Sequence, residues 1–327
     1  MLDPLIDRKK KGRQPITAAV GIVLLVAVQQ LVTFGSDRLL DQTLTNAAHV
    51  PLFALLTLLL HRLLGRPPWY RLLIVALGLA VLTEALQVVT NRQPSLVDLT
   101  LDLLGILPVI GAITLRRRRR RSGRPVSGRV VWFATWAAIA GMTLAAPVRV
   151  LVAYAERDAA FPRLLIPGNR PLELLVGSNG SMRLTRGPAD WTGYADRPVL
   201  ETIWGDERYP GLTFTEVVSD WAGFDALQVD VYLTGDAPMP LTAAVGHVGT
   251  EGTARYLQIE VAPGPSRLRY PLDALLEPLD DAPVRVSKLI LHSTREYRGR
   301  RLLIGDVRLV RGGEHGGPFA GTLAPSS

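Results

Sequence analysis

Six consecutive arginines, Arg116 to Arg121, stand directly after an apolar stretch, and this junction constrains the fold of the whole chain. A soluble core has no need of such a block, whereas basic residues collect on the cytoplasmic side of membrane spans. The chain has 327 residues, 48% of them hydrophobic, and this length is typical of about two domains. The sequence therefore predicts a membrane-embedded part and at least one further domain.

Five apolar stretches are long enough to cross a bilayer, since a spanning helix needs about 20 mostly apolar residues. They lie at about 15–34, 46–64, 70–90, 97–115 and 130–148. We interpret the first as a retained span and not as a signal peptide, because its apolar region is long and no small-residue cleavage site follows Phe34. The prediction is a basic N-terminus at 1–14 and a five-span helical bundle at 15–149.

The basic residues fall almost entirely on one side of these spans. In the resulting topology 16 of them lie on one side and only Arg38 and Arg92 on the other, so the first side is predicted to be cytoplasmic. The N-terminus of this multi-pass protein is then cytoplasmic, and everything after about residue 150 is extracytoplasmic. Residues 1–148 carry 18 basic and 7 acidic groups, against 19 and 22 in the remainder. The basic excess thus belongs to the bilayer-facing half, which disfavours nucleic acid as a partner.

The second half changes from long apolar runs to short alternating ones. Alternation recurs at 227–233, 241–245, 257–261, 284–291 and 302–309, with turn residues between the runs. Such spacing favours a β-sandwich or jelly roll. We predict a connector at 150–170, the sandwich at 171–311 and a disordered Gly/Pro/Ser-rich tail at 312–327. The absence of cysteine excludes disulfides, thiolate metal sites and a cysteine nucleophile.

Two segments of this half, 219–230 (SDWAGFDALQVD) and 302–309 (LLIGDVRL), carry a family resemblance. They resemble a galactose-binding-like, carbohydrate-binding jelly roll, which implies a glycan as partner. Aromatic rings can cover the apolar face of a sugar, although most aromatics of a sandwich fill its core. Trp191 and Tyr194 lie among Gly and Pro and are the predicted loop residues for sugar binding, whereas Trp221 is predicted to be a core residue.

Polar residues inside the spans gather at one level, towards the predicted outer surface, and charged groups in spans tend to be functional. Structural explanations exist for several: Ser95-x-x-Asp98 is a capping box, His49 suits the interface, and Gln87 suits a helix–helix hydrogen bond. Glu84 is the hardest to explain in this way, because a buried carboxylate needs a partner. The polar cluster comprises His49, Glu84, Gln87, Arg92, Ser95, Asp98 and Asp102, and Gln29 and Gln30 lie at the same level in the first span.

The order of these residues within EALQVVTNRQPSLVDLTLDLLG, with His49 before it and Gly105 at its end, resembles the VanZ-like family of membrane proteins. Two positions depart from the family pattern: Thr45-Asn46 replaces an Asp-Lys pair, and Asp102 replaces an asparagine. The resemblance implies a role in the cell envelope, including glycopeptide resistance in the namesake. It implies no settled reaction.

Three functions follow from these patterns, and the sequence does not decide between the first two. The first is an enzyme acting on a cell-wall or lipid-linked saccharide, with Glu84 and His49 as proton carriers. Asp98 and Asp102 would be their partners or the ligands of a divalent cation. Arg92 would bind an anionic group of the substrate, as an anion clamp, and Gln87 and Ser95 would also contact the substrate. The second is a non-catalytic, membrane-anchored carbohydrate-binding protein. The third is a small proton-coupled transporter, which the lack of inner-half ionisable residues other than His61 disfavours.

Overall fold

The computed structural model describes residues 38–89, 95–121, 128–178, 180–205, 207, 209–247, 254–276 and 285–312. The first predicted span and almost all of the predicted tail lie outside these ranges. The chain separates into two compact units, 1–149 and 150–327. Each unit has a core of its own, so the two are described in turn.

The first unit is helical. Its helices are α1 (Leu39–Leu63), α2 (Trp69–Val89), α3 (Leu96–Arg121) and α4 (Gly128–Ala160), and the last part of α4, from residue 150, belongs to the second unit. By length and composition all four are able to cross a membrane, and they overlap the second to fifth predicted spans, although α1 begins earlier and α3 ends later than predicted. Helix α4 continues to Ala160, beyond the predicted end of its span and into the predicted connector, because the apolar stretch is followed by helix formers and no turn residue.

Helices α1 and α3 pack most closely, and a glycine permits their approach. A β-carbon built on Gly105 of α3 would lie 2.3 Å from the carbonyl oxygen of Val50 and 3.0 Å from the nitrogen of Ala54, both on α1. Small residues allow this kind of backbone contact between apolar helices. The core around it consists of Val50, Phe53, Ala54, Leu56, Leu60, Leu72, Ala76, Ala80, Ile106, Val109, Ile110, Ile113 and Ile139.

The second unit is an antiparallel β-sandwich, which confirms the predicted all-β class of this half. Its strands are β1 (Arg163–Leu165), β2 (Val176–Ser178), β3 (Gly180–Arg186), β4 (Pro198–Trp204), β5 (Gly211–Phe214), β6 (Ala226–Leu233), β7 (Met239–His247), β8 (Ala254–Val261), β9 (Gly264–Pro271), β10 (Val286–His292) and β11 (Arg301–Val310). Short helices α5 (Arg170–Glu173) and α6 (Leu272–Leu275) and a 3₁₀ turn (Arg295–Tyr297) connect them.

The strands form two sheets. The first sheet has the order β3-β4-β11-β6-β9, with β1 paired to β11, and the second has the order β2-β5-β10-β7-β8. From β4 onwards the chain passes repeatedly from one sheet to the other, so most neighbours within a sheet are distant in sequence. Strand β1 lies within the predicted connector at 150–170, so the sandwich begins before the predicted boundary at 171.

The sandwich core lies between the sheets and follows the alternation of the strands. On β6 the odd-numbered Leu227, Val229, Val231 and Leu233 are all fully buried in it. Trp221 is also buried there, at 1% exposure, as predicted. The alternating segments at β6, β7, β8, β10 and β11 were recognisable from sequence, whereas β9 alternates arginines with Leu268 and Tyr270 and has too few aliphatic residues to stand out.

Candidate functional site

Three members of the polar cluster meet in the helical unit, one from each of α1, α2 and α3. The Nδ1 atom of His49 lies 2.8 Å from Oδ1 of Asp102. Glu84 lies beside them, so that one potential ligand atom from each residue falls within 4.8 Å of the others. All three side chains are buried. We call His49, Glu84 and Asp102 the buried cluster.

The contact between α1 and α3 explains how residues far apart in sequence reach one another. Asp102 lies one turn before Gly105, at the point of closest helix approach, and His49 precedes Val50 on the facing helix. The ring of Phe53, one turn along α1, is nearly parallel to the His49 ring, with centroids 6.5 Å apart. The imidazole is thus held on one side by an aromatic ring and oriented by the Asp102 carboxylate.

Glu84 is held by the beginning of the next helix. The backbone N–H of Ser95 donates to Oε2 of Glu84 at 2.9 Å. The Ser95 hydroxyl accepts from the backbone N–H of Val97 at 3.1 Å and of Asp98 at 3.4 Å, which is the predicted capping role. Asp98 is half-buried in the first turn of α3, where a carboxylate interacts favourably with the helix dipole.

The buried cluster has the composition of a proton-transfer or metal site. A carboxylate bonded to one imidazole nitrogen fixes the tautomer and leaves the other nitrogen for chemistry. An imidazole with two carboxylates is equally a donor set for a divalent transition metal. Within the described ranges Oδ2 of Asp102 is buried and has no hydrogen-bond partner, so this oxygen is available to a proton or a cation.

Two members of the predicted cluster are not placed. Arg92 lies outside the described residues, and so does the side chain of Gln87, although its backbone belongs to α2. The structure therefore brings His49, Glu84 and Asp102 together, sets Ser95 and Asp98 at the adjacent helix start, and leaves the predicted anion clamp without a position.

The sandwich has a cavity of about 360 Å³ on the outer face of the first sheet. Asp230 lines it, and its carboxylate accepts from Nε of Arg267 at 2.7 Å and from the Tyr194 hydroxyl at 2.8 Å. Asp306 faces two arginines more loosely, with Nε of Arg163 and Nη1 of Arg308 both 3.6 Å from its Oδ2. Arg197 also lines the cavity. We call this space the first-sheet cavity.

Burial dominates the electrostatics of Asp306. Loss of solvent raises the pKa of this carboxyl above its ordinary value, although the neighbouring Arg163 and Arg308 act in the opposite direction. Its Oδ1 atom is buried and has no hydrogen-bond partner among the residues that the structure describes. Burial and the nearby Asp230 carboxylate also raise the pKa of the Tyr194 hydroxyl. The cavity thus contains an unused acceptor between several cations.

The two predicted sugar-binding aromatics are placed differently from each other. Trp191 is only 4% exposed, and its ring packs against Tyr194 and Tyr232, with centroids 4.4 and 5.7 Å away. As placed, it fills a small second core and presents no open face. Tyr194 is half-buried and lines the first-sheet cavity, with its ring close against Gly305 and its hydroxyl accepting from the backbone N–H of Asp306 at 3.0 Å.

Other tyrosines of the sandwich are more exposed than either of these. Tyr256 is 52% exposed on β8 and Tyr209 is 50% exposed, with its ring edge-to-face on His292 at 5.3 Å. Both belong with the second sheet, where Tyr256 pairs with Ala244. The alternation of β8 indicated that Tyr256 points away from the core, so this signal was present in the sequence.

No family model matches the chain, and no curated protein does. The sandwich resembles solved carbohydrate-binding modules and glycoside hydrolases. An exo-beta-agarase is 14% identical over 46% of this chain and 24% of its own, with a TM-score of 0.35. The family 11 carbohydrate-binding module from Clostridium thermocellum is 14% identical over 43% and 92%, with a TM-score of 0.33. The CBM22-1 xylan-binding domain from Paenibacillus barcinonensis is 20% identical over 42% and 86%, with a TM-score of 0.29. The chain thus spans about a quarter of the agarase, and a likeness at these scores assigns no ligand.

Proposed function

We propose that this protein is a membrane-anchored saccharide-binding protein of a bacterial cell envelope. In this proposal the helical unit is the anchor, and the sandwich binds a saccharide of the cell wall or of a lipid-linked intermediate. The observation that carries it is the first-sheet cavity, a concave space whose polar groups converge from four strands. A pocket of this size with a few convergent polar groups is the usual form of a small-ligand site.

The chemistry of the first-sheet cavity suits a sugar, and favours an acidic one. Sugar hydroxyls donate to carboxylates, and Oδ1 of Asp306 is a buried acceptor with no described partner. Four arginines line the cavity against two aspartates, so a ligand carboxylate or phosphate would balance the charge. Guanidinium groups bind such anions through paired hydrogen bonds. A uronic acid or a sugar phosphate therefore fits better than a neutral hexose.

Binding calorimetry on the full chain in detergent micelles tests this site, with glucuronic acid, glucose 1-phosphate and glucose as probes. The two anionic sugars should bind, and glucose should bind more weakly. Arg163→Gln and Asp306→Ala should each weaken binding by about tenfold, the effect of about 1.4 kcal/mol. Leu184→Ala, which shortens an exposed side chain on β3, is the control.

The exposed tyrosines give the experiment a second arm. Binding of neutral oligosaccharides that is lost in Tyr256→Ala and unchanged in the cavity variants would move the site to the second sheet. Absence of binding by every probe would remove the proposed function altogether.

The membrane topology is part of the same proposal and rests on the distribution of basic residues. We place the N-terminus in the cytoplasm and the sandwich outside it, in the multi-pass arrangement of a bacterial cytoplasmic membrane. A reporter that is active only outside the cytoplasm, fused after Ser327, should be active, and a cytoplasmic reporter at the same site should be silent. The reverse pattern would contradict the topology.

A second candidate function is enzymatic, and the specific observation in its favour is the buried cluster. Here the VanZ-like resemblance, the Asp102–His49 hydrogen bond and the proximity of Glu84 support a proton-transfer site on a saccharide substrate. In a host strain that depends on this protein for glycopeptide tolerance, Glu84→Gln should abolish growth in the presence of the glycopeptide. The variant and the wild type are compared at equal abundance in the membrane. Asp41→Asn, a carboxylate change in the first turn of α1, serves as the control. Equal tolerance in both variants argues against catalysis.

A further inference from the structure

A second cavity, of about 490 Å³, lies in the helical unit among the end of α1, the basic end of α3 and the beginning of α4. Its polar lining is entirely basic: no carboxylate is among its described lining residues. We call it the basic cavity. It is lined by Arg62, Arg66, Arg116 and Arg117, by His61, by Trp132 and Trp136, and by Leu58 and Ile113.

One arginine of the six-residue run fixes the shape of the basic cavity. The guanidinium of Arg117 donates from Nη1 to the carbonyl of Pro67 and from Nη2 to the carbonyl of Arg66, both at 2.8 Å. These carbonyls belong to the loop after α1, where Gly65 and Arg66 both have positive φ angles. A non-glycine residue in this conformation is uncommon. The contact therefore holds Arg66 in a conformation that it would otherwise rarely adopt, beside the cavity.

The remaining walls combine aromatic and aliphatic groups. Trp132 and Trp136 are four residues apart on α4 and thus share a helix face, and tryptophan is enriched at the level of lipid headgroups. Leu58 and Ile113 continue the lining towards the apolar core. Nδ1 of His61 is buried without a hydrogen-bond partner in the part of the chain that the structure describes. The cavity thus has cations and an unused ring nitrogen beside an apolar wall.

We propose that the basic cavity binds the phosphate headgroup of an acidic membrane lipid. A phosphate diester accepts hydrogen bonds from several guanidinium groups at once, and an acyl chain can follow the apolar wall. Basic pockets between membrane helices are suited to anionic headgroups. An uncharged lipid would leave the arginines without a counter-ion, and the ammonium group of a zwitterionic headgroup would add a further cation to a lining that is already basic. This lipid site is separate from the proposed saccharide site. The lipid proposal stands whichever unit of the chain contacts the glycan.

The main competing explanation is diffuse attraction, because six consecutive arginines draw any acidic surface. The chain offers a matched control for it. Arg62→Gln with Arg116→Gln removes two charges from the basic cavity, whereas Arg118→Gln with Arg119→Gln removes two charges from the same run outside the lining. Arg117 is left unchanged, since it holds the loop after α1. Thermal unfolding and gel filtration establish that both variants are folded.

The experiment measures retention of phosphatidylglycerol, with phosphatidylcholine as comparison, by native mass spectrometry of the full chain released from micelles. Phosphatidylglycerol should be retained, and the cavity pair should weaken it by about tenfold or more while the control pair changes it little. Equal weakening in both pairs, or equal retention of phosphatidylcholine, would overturn the proposal. Inorganic phosphate is the third probe. If it binds in a cavity-dependent manner while phosphatidylglycerol does not, the site takes a soluble anion and the lipid assignment is wrong.

Fluorescence quenching gives a second readout, which does not require the protein–lipid complex to survive in the gas phase. Phosphatidylglycerol brominated on its acyl chains should quench tryptophan emission, and Trp132→Phe with Trp136→Phe should remove most of that quenching. Quenching that persists in this variant would place the lipid elsewhere and contradict the assignment.

Discussion

At the scale of single residues, the buried cluster and the first-sheet cavity each contain one carboxylate whose hydrogen bonds are only partly satisfied. Asp102 has one oxygen bonded to His49 and the other without a partner in the described ranges. Asp230 is fully engaged by Arg267 and Tyr194, whereas Asp306 beside it is only loosely faced by arginines. Asp102 and Asp306 are therefore the two carboxylates where a ligand would change the energetics most.

The pairing of His49 with Asp102 should be visible as energetic coupling. Breaking a buried pair by removing one partner costs about 3–5 kcal/mol, so His49→Ala and Asp102→Ala should each lower the free energy of unfolding in micelles by about 3 kcal/mol. The double variant should lose clearly less than the sum, because the second removal finds no partner left to strand. Denaturant unfolding of the four proteins gives the coupling energy.

His61 offers the matched control for that cycle, since it lies on the same helix and outside the buried cluster. The losses in free energy of unfolding caused by His61→Ala and by Asp102→Ala should add in the double variant. Additivity in the His49 cycle as well would show that the 2.8 Å contact contributes nothing.

The raised pKa of Asp306 predicts a pH dependence with a definite sign. The folded state holds this proton more tightly than the unfolded chain, in which the pKa is near its ordinary value of 3.8. The contribution of the group to stability is therefore present below that value and is lost as the pH rises through the raised pKa. The free energy of unfolding of the wild type minus that of Asp306→Asn should fall as the pH rises from about 4 towards neutrality.

The sandwich transition, followed by near-ultraviolet circular dichroism, measures this difference. Asp306→Ser also removes the titrating group and should give the same slope against pH. A difference that rises with pH would mean that the arginines outweigh burial at this carboxyl.

At the scale of elements, the position of one glycine sets the distance between α1 and α3. The backbone of α1 occupies the space that a β-carbon on Gly105 would need. Because Asp102 lies one turn away on α3, the same contact also sets its distance from His49. The helix pair and the buried cluster thus depend on a single backbone approach.

Gly105→Ala should destabilise the helical unit by about 1–3 kcal/mol, the usual effect of overpacking. Gly111→Ala is the control on the same helix, since nothing lies within 4 Å of a β-carbon there; alanine is the better helix former, and this variant should be neutral or slightly stabilised. Thermal unfolding in micelles compares the two. Equal stability would show that the helices separate without penalty.

At the scale of the whole molecule, each unit contains a complete core. The sandwich buries its inner residues between its own two sheets, and the helical unit has a separate cluster built from α1 to α4. No core residue of the sandwich comes from α1, α2 or α3 in the described part of the chain. The two units should therefore fold independently.

A fragment of residues 156–312 tests this independence. It retains Arg157, whose guanidinium donates to the carbonyl of Glu216 at 3.0 Å, and omits the apolar part of α4. We expect it to be soluble without detergent and to unfold in one cooperative transition. The same fragment extended back to residue 128 should need detergent. Aggregation of the shorter fragment, or a broad non-cooperative transition, would show that the sandwich depends on the helical unit.

The sequence by itself determined the class of each half, because hydrophobic period is a local property. The apolar stretches predicted α1 to α4, and strict alternation predicted strands such as β6 and β11 and the burial of Trp221. Strand β9 was not predicted, because arginines alternate with its buried residues. The boundary at 171 was too late because three-residue strands such as β1 carry too little pattern.

Only the tertiary structure decided which polar residues meet. His49, Glu84 and Asp102 were predicted as a group from their level in the spans, but their contact depends on the approach of α1 and α3 at Gly105, and no local pattern gives that distance. The first-sheet cavity was not predicted at all, because Asp230 and Asp306 are neighbours only through the pairing of β6 with β11. Trp191 looked like an exposed loop residue among Gly and Pro, yet the loop folds back and buries its ring. Hydrophobic period depends on residues that are close together in the sequence, so it can be recognised locally. A site depends on strands and helices that are far apart in the sequence and meet only in the folded chain.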